Sequence, residues 1–212
     1  GPDTRCHREG AVIESGMGSM GYYRRLIHLG REYRRKKIRL DNPPLRMWVE
    51  LSAHCNLACV MCPNRELPAD QKGYLDPDLF QRIAEEAGSR VREVNLCHRG
   101  ESLLHPRLIP ILKTAATYPW KTKLHTNGVL LTPELAEGII ESGLQRLSFS
   151  FDGTGPDEYE RTRVGARFEE VVANIGNLLR RKKEKNSLLP RVAMEFIDLP
   201  ATTVRDRQRM KK

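Results

Sequence analysis

Cys55-Asn56-Leu57-Ala58-Cys59-Val60-Met61-Cys62 is a C-x3-C-x2-C triplet, and it directly follows a run in which Met47, Val49 and Leu51 alternate with polar or less buried types. Alternation of period two reads as a strand over 46–52, so the triplet sits at the end of a strand. Three close thiols with no nearby fourth can bind three irons of a four-iron cluster and leave one iron open to a small molecule. A zinc site normally takes four protein ligands, and His54 or Cys97 could supply the fourth here, which keeps zinc as an alternative. Buried structural cysteines are the plainest alternative.

Working outward from the triplet, strand-like and helix-like segments alternate. Asp76-Pro77 opens a helix with a capping carboxylate and a proline at the first position, followed by the stripe Leu79, Ile83 and Ala87. Segments 91–97, 121–126, 144–151 and 192–197 read as further strands. Between them lie a helix over 106–118, one capped by Thr132-Pro133 with Leu135, Ile139 and Ile140, and one striped by Phe168, Val171, Val172, Ile175, Leu178 and Leu179. Repeated strand–helix units without hairpin signals predict right-handed crossovers and a parallel sheet. A doubly wound sheet and a β/α barrel both satisfy that pattern. The residues able to do chemistry cluster just after strand ends, at the triplet, Gly100-Glu101, 126–128 and 150–153. Both architectures put their sites at that edge.

Composition sets the setting. The chain has 212 residues, 39% of them hydrophobic, which suffices for one large domain with an extension. It holds no apolar run near the ~20 residues of a membrane span and no secretory leader, so a cytoplasmic protein is expected. Three of the five cysteines fall within eight residues, a pattern suited to metal ligation in a reducing compartment and unlike a disulfide framework. Cys6 lies in a Gly-rich start, residues 1–21, that shows no periodicity. Much of the formal charge of +9 belongs to the segment from Tyr22 to Arg39, where Arg24, Arg25, Arg31, Arg34, Arg35, Lys36, Lys37 and Arg39 face the single acid Glu32. Tyr23, Ile27, Gly30 and Tyr33 recur there at helical spacing. A basic amphipathic helix is expected, ending at Asn42-Pro43-Pro44 and able to pack on the domain, touch acidic lipid headgroups or meet a phosphate-rich partner. Expected divisions are 1–44 for the flexible start and basic helix, 45–198 for the core, and 199–212 for a charged, disordered tail.

The triplet, with Met61 before its last cysteine, resembles the signature of the radical S-adenosylmethionine (radical SAM) superfamily. Arg99-Gly100-Glu101-Ser102 resembles that family's Gly-Gly-Glu-Pro motif, with His98, Arg99 and Ser102 departing from it. Thr126-Asn127-Gly128 and Ser148-Phe149-Ser150-Phe151-Asp152-Gly153 resemble further family patterns. The run from Gly100 to Pro106 is most like the SPASM-type branch, the radical SAM/iron–sulfur oxidoreductases that often carry a C-terminal auxiliary-cluster domain.

The resemblance implies an α/β fold, an incomplete parallel (β/α) barrel of about five strand–helix units preceded by the basic helix. It implies an enzyme in which Cys55, Cys59 and Cys62 hold a [4Fe–4S] cluster that cleaves S-adenosyl-L-methionine reductively and abstracts a substrate hydrogen. Glu101 would approach the SAM amine, with Gly100 allowing the backbone close. Ser150 and Asp152 would meet the ribose and carboxylate, and Arg163 the carboxylate. Asn127 would line the site or make a tight turn, Asp152-Gly153 could be a simple turn, and Arg163 could be surface-solvated. A reductant such as flavodoxin or ferredoxin is implied, with a peptide, small metabolite or cell-envelope precursor as substrate. The family's sixth strand and a Cys-rich extension find no match, so the chain reads as a fragment. An iron–sulfur or zinc-binding fragment without turnover, and a nucleic-acid-modifying enzyme, are the alternatives. No partner is legible for His28, His105 or His125, and Cys97 reads as a small buried residue.

Overall fold

Met47, between Arg46 and Trp48, starts the sheet by turning its apolar side chain toward the helices. In the computed structural model, residues 19–197 are described. Cys6, most of the Gly-rich start and the charged tail lie outside the described residues. Two compact units divide between Pro43 and Pro44.

In the first unit, α1 (Ser19–Arg34) is the expected basic helix, with Arg31 and Arg34 in its last turn where the helix dipole favours cations. Its apolar residues Tyr23, Ile27 and Tyr33 are exposed. Glu32, which reads as a lone acid among bases, is a hub. It accepts from Lys37 Nζ at 3.1 Å, the Asp41 amide at 3.2 Å and Asn42 Nδ2 at 3.2 Å. Desolvation opposes its charge, but the bonds from Asn42, the Asp41 amide and Lys37 outweigh it and hold the carboxyl at about 2. His28 also finds a partner here, in Asn42.

In the second unit five strands form one sheet, β1 (Arg46–Trp48), β2 (Glu93–Asn95), β3 (Lys121–Thr126), β4 (Arg146–Ser150) and β5 (Arg191–Glu195). All neighbouring pairs are parallel and the spatial order is the chain order, β1-β2-β3-β4-β5. A doubly wound sheet reverses its order at a switch point. No reversal occurs here, so crossovers of one hand lay every helix on one face, as in a (β/α) barrel. Among the described residues β1 and β5 have no outer neighbour, and the barrel is partial. The helices α2 (Pro77–Ala87), α3 (Leu108–Ala116), α4 (Pro133–Glu141) and α6 (Phe168–Glu184) pack each against the next. They cover Val94, Leu124, Leu147 and Phe149 of the sheet with Phe80, Ile111, Leu112, Ile139 and Leu178.

Both expected caps form. Asp76 accepts from the Asp78 amide at 2.9 Å, and Thr132 from the Leu135 amide at 3.2 Å. The first strand is shorter than its alternation suggests. Val49 still donates to Asn95 O of β2 at 2.9 Å, after which the chain turns to the segment before α2, with Leu75 N donating to Leu51 O at 2.9 Å and Ser52 bridging Tyr74. An additional helix, α5 (Pro156–Thr162), lies between β4 and α6. Its legible signal is Pro156 at the first position with Asp157 and Glu158 in the first turn. Among the described residues no helix is long and apolar enough to cross a membrane.

Candidate active site

The cysteine loop is pinned from both sides by backbone hydrogen bonds. On one side the Glu101 amide donates to His54 O at 2.7 Å. On the other, the amides of Ala58 and Val60 donate to Val164 O and Thr162 O at 2.9 and 3.0 Å. Gly100 makes the first contact possible. A Cβ there would stand 1.9 Å from Ser52 O and 2.8 Å from the Ala53 carbonyl carbon. No side chain fits, so this glycine brings the end of β2 against the segment leading into the triplet. The close approach that the sequence suggested toward a ligand is made toward the chain itself.

Cys59 is buried, Cys55 and Cys62 partly so. All three pack against one apolar cluster containing Leu57, Tyr159, Ala166 and Val171, with Phe151 and Phe168 beside it. Burial pushes the thiols of Cys55 and Cys59 up, while Arg163 pulls that of Cys59 back down. Among the described residues no three His, Cys, Asp or Glu side chains converge to hold a single metal ion.

Glu101 lies at the same edge, 2% exposed. Its Oε1 accepts from the Leu103 amide at 2.9 Å and Thr126 Oγ1 at 2.7 Å, and its Oε2 from the Asn127 amide at 2.8 Å. Three of roughly four acceptor positions are thus used by the chain. Burial raises the pKa of this acid against those bonds. The carboxylate buckles the end of β2 to the end of β3. Asn127 both makes the turn, accepting from the Val129 amide at 3.0 Å, and reaches the triplet loop, donating to Asn56 Oδ1 at 2.9 Å.

After β4, Asp152 and Arg163 form a buried ion pair. Asp152 Oδ1 also accepts from the Ile197 amide at 2.7 Å, so its role exceeds that of a turn residue. Arg163, 8% exposed, is no surface arginine. Its Nη1 points to Cys59 Sγ at 3.8 Å, and its Nε is buried without a hydrogen-bond partner. Ser150 is bonded to His125 Nε2, and His125 Nδ1 lies 3.4 Å from Glu195. Neither His125 nor Glu195 carried a readable signal, because their partners come from different strands. His105 is structural, bonded to Leu75 O at 2.8 Å and the Arg107 amide at 3.0 Å. Cys97 is half-buried and lines an open pocket, with its thiol pushed up by burial to about 11.

The triplet, the Glu101 buckle and the Asp152–Arg163 pair thus meet at one end of a parallel sheet. The family model described as Radical SAM superfamily matches residues 49–192. The chain belongs to the radical SAM superfamily. It is 32% identical over 139 residues to the AdoMet-dependent heme synthase of Methanosarcina barkeri, covering 65% of this chain and 40% of that protein. It is 29% identical over 133 residues to the GTP 3',8-cyclase of Chlorobaculum tepidum, covering 62% of this chain and 40% of that protein. The chain therefore spans about two fifths of the length of these curated relatives. Among solved structures, Streptococcus suis SuiB bound to S-adenosylmethionine shares the fold. The TM-score is 0.66 at 15% identity, over 91% of this chain and 42% of SuiB. Radical SAM relatives thus include enzymes acting on different molecules, and the superfamily implies use of SAM and an iron–sulfur cluster.

Proposed function

We propose that this chain is the cofactor-binding core of a radical SAM enzyme, with Cys55, Cys59 and Cys62 holding a [4Fe–4S] cluster. SAM would lie along the strand ends between Gly100-Glu101, Asn127, Ser150 and the Asp152–Arg163 pair. The observation that carries this reading is the shared position of three thiols on one apolar cluster at the strand end. The donor set fits. The thiols lie on one loop, and Arg163, whose Nη1 lies 3.8 Å from Cys59 Sγ, keeps a buried Nε without a partner, a donor suited to an anionic group such as the SAM carboxylate. When bound, the cluster and SAM supply one-electron reductive cleavage and hydrogen abstraction from a substrate.

The chain's own residues supply placement. Glu101 and Asn127 tie three strand-end loops together, so the triplet keeps its position. Arg163 offsets negative charge near Cys59, and the ring cluster of Phe151, Tyr159 and Phe168 gives the thiols an apolar wall. The substrate is a peptide, a small metabolite or a cell-envelope precursor, and a flavodoxin- or ferredoxin-like protein supplies the electron.

Anaerobic reconstitution with iron and sulfide tests the reading. The expected product is a brown protein that forms 5′-deoxyadenosine from SAM when given dithionite. Cys59→Ala should remove both colour and product. Arg163→Met should keep colour and weaken SAM binding about tenfold. A colourless zinc protein would overturn the cluster assignment, and a brown protein without 5′-deoxyadenosine would reduce the function to cluster binding.

A further inference from the structure

The sheet has a second face, turned away from the helices, and it is polar. Side chains alternate along a strand, so with Val94, Leu124 and Leu147 turned to the helices, Arg46 and Trp48, Glu93 and Asn95, Lys121, Lys123 and His125, Arg146, Ser148 and Ser150, and Arg191, Ala193 and Glu195 fall on this inner face. Parallel sheets are normally apolar on both faces, and closed β/α barrels fill the interior with branched aliphatic side chains. This one is lined with charge.

The charges do not balance. Arg46, Lys121, Lys123, Arg146 and Arg191 face the acids Glu93 and Glu195. Glu93 is taken by Arg46 Nε at 2.7 Å. Glu195 alone serves Lys123 at 2.7 Å, Arg146 at 3.6 Å and His125 at 3.4 Å. Lys121 and Arg191 have no acid within ion-pair distance among the described residues. Burial favours the neutral form of His125, so the surplus cations are Lys121, Arg146 and Arg191 around the Lys123–Glu195 pair. A pocket of about 250 Å³ opens on this face, lined by Trp48, Asn95, Cys97, His98, Lys123 and His125 together with the Gly100 backbone. Gly100 is the residue pressed against the triplet's leading segment, so the pocket and the cysteine loop share one end of the sheet.

We infer that the inner face binds the enzyme's substrate through an anionic oxygen group, a carboxylate or a phosphate, held by Lys123 and Arg146. This deepens the reading under Proposed function and rests on it for the word substrate, though anion binding itself requires no cluster. The Glu195 carboxylate shows where such a group sits, since it already bonds Lys123 and lies near both Arg146 and His125. The pocket volume suits a small metabolite or one side chain of a peptide. Trp48, 58% exposed, offers an aromatic wall, whereas the other tryptophan, Trp120, is 2% exposed.

The test is calorimetric titration of the full 212-residue chain with glutarate and with inorganic phosphate, at low salt, followed in parallel by tryptophan fluorescence. Saturable binding of at least one probe is expected, with a fluorescence change that disappears in Trp48→Phe. Lys123→Met should weaken it about tenfold, and Glu195→Gln should strengthen it by a similar factor by removing the competing carboxylate. Preference for glutarate assigns a carboxylate substrate, and preference for phosphate a phosphorylated one. Absence of saturable binding in both the parent and Glu195→Gln would overturn the inference, as would binding indifferent to Lys123→Met. Loss of binding when the reconstituted protein is saturated with SAM would put the anion in the cofactor's own place and overturn it equally. Failure here with 5′-deoxyadenosine still formed leaves the radical SAM reading intact, and the converse result separates them the other way.

Discussion

Leu124 and Lys123 are neighbours in the chain and lie on opposite faces of the same sheet. Leu124 is fully buried under the helices, while Lys123 reaches across β4 to Glu195 on β5. The helix-facing side is held mainly by apolar area, worth ~25 cal/mol for each Å² removed from water. The inner side spends little on stability, because half-exposed ion pairs contribute at most about 1 kcal/mol each. Chemistry can therefore be written on one face while folding is secured by the other.

The largest test of that division lies where the two faces meet. Gly100→Ala places a methyl group inside Ser52, so the β2 end and the cysteine loop must separate. It should cost at least about 3 kcal/mol in urea unfolding and prevent full iron incorporation on reconstitution. A variant of parental stability and full iron content would mean that the two loops are not locked together. Next in size, Leu124→Ala should lose ~2–5 kcal/mol, as cavity-forming core changes do, and Lys123→Ala less than about 1 kcal/mol. Equal losses at these adjacent positions would erase the distinction between faces.

The smallest effect is in acid. Two carboxylates at this sheet titrate in opposite directions from the ordinary 4.5. Burial raises Glu101 despite its three hydrogen bonds. Burial also opposes the charge of Glu195, but the bonds from Lys123 and Ser148, with the positive charge beside it, outweigh it and lower its value. The folded chain binds the Glu101 proton more tightly than the unfolded chain, so its contribution to stability falls as pH rises from 4.5 through the raised value. For Glu195 the unfolded chain binds more tightly, so its contribution is full above 4.5 and fades as pH drops through the lowered value. Carboxyl carbon NMR should resolve one midpoint on each side of 4.5. Glu101→Gln should flatten the stability profile above that pH and Glu195→Gln below it.

Legibility in the sequence followed the length scale of each interaction. β3 was readable to the residue, and the caps at Asp76 and Thr132 were readable because a helix end is a local event. The end of β1 was not, since Tyr74 and Leu75 compete for the chain after Trp48 from a distant segment. α5 was missed because a seven-residue helix holds too few turns to show a periodicity. In the site, Arg163 could be read equally as a ligand contact or a surface residue. Only its placement beside Cys59 and Asp152 removes the surface reading.

The sequence by itself determined the triplet, the alternation of strands and helices, and the family, because spacing along a chain is enough to specify a motif and a periodicity. Tertiary structure decided the rest. It chose a singly wound barrel over a doubly wound sheet, since strand order depends on where each crossover lands. It gave Glu101 to the chain's own amides, pressed Gly100 against Ser52, and joined His125 to Ser150 and Glu195. Period-two alternation tells that a strand has two faces. Only the packed sheet shows that one of them is core and the other an open, positively charged lining.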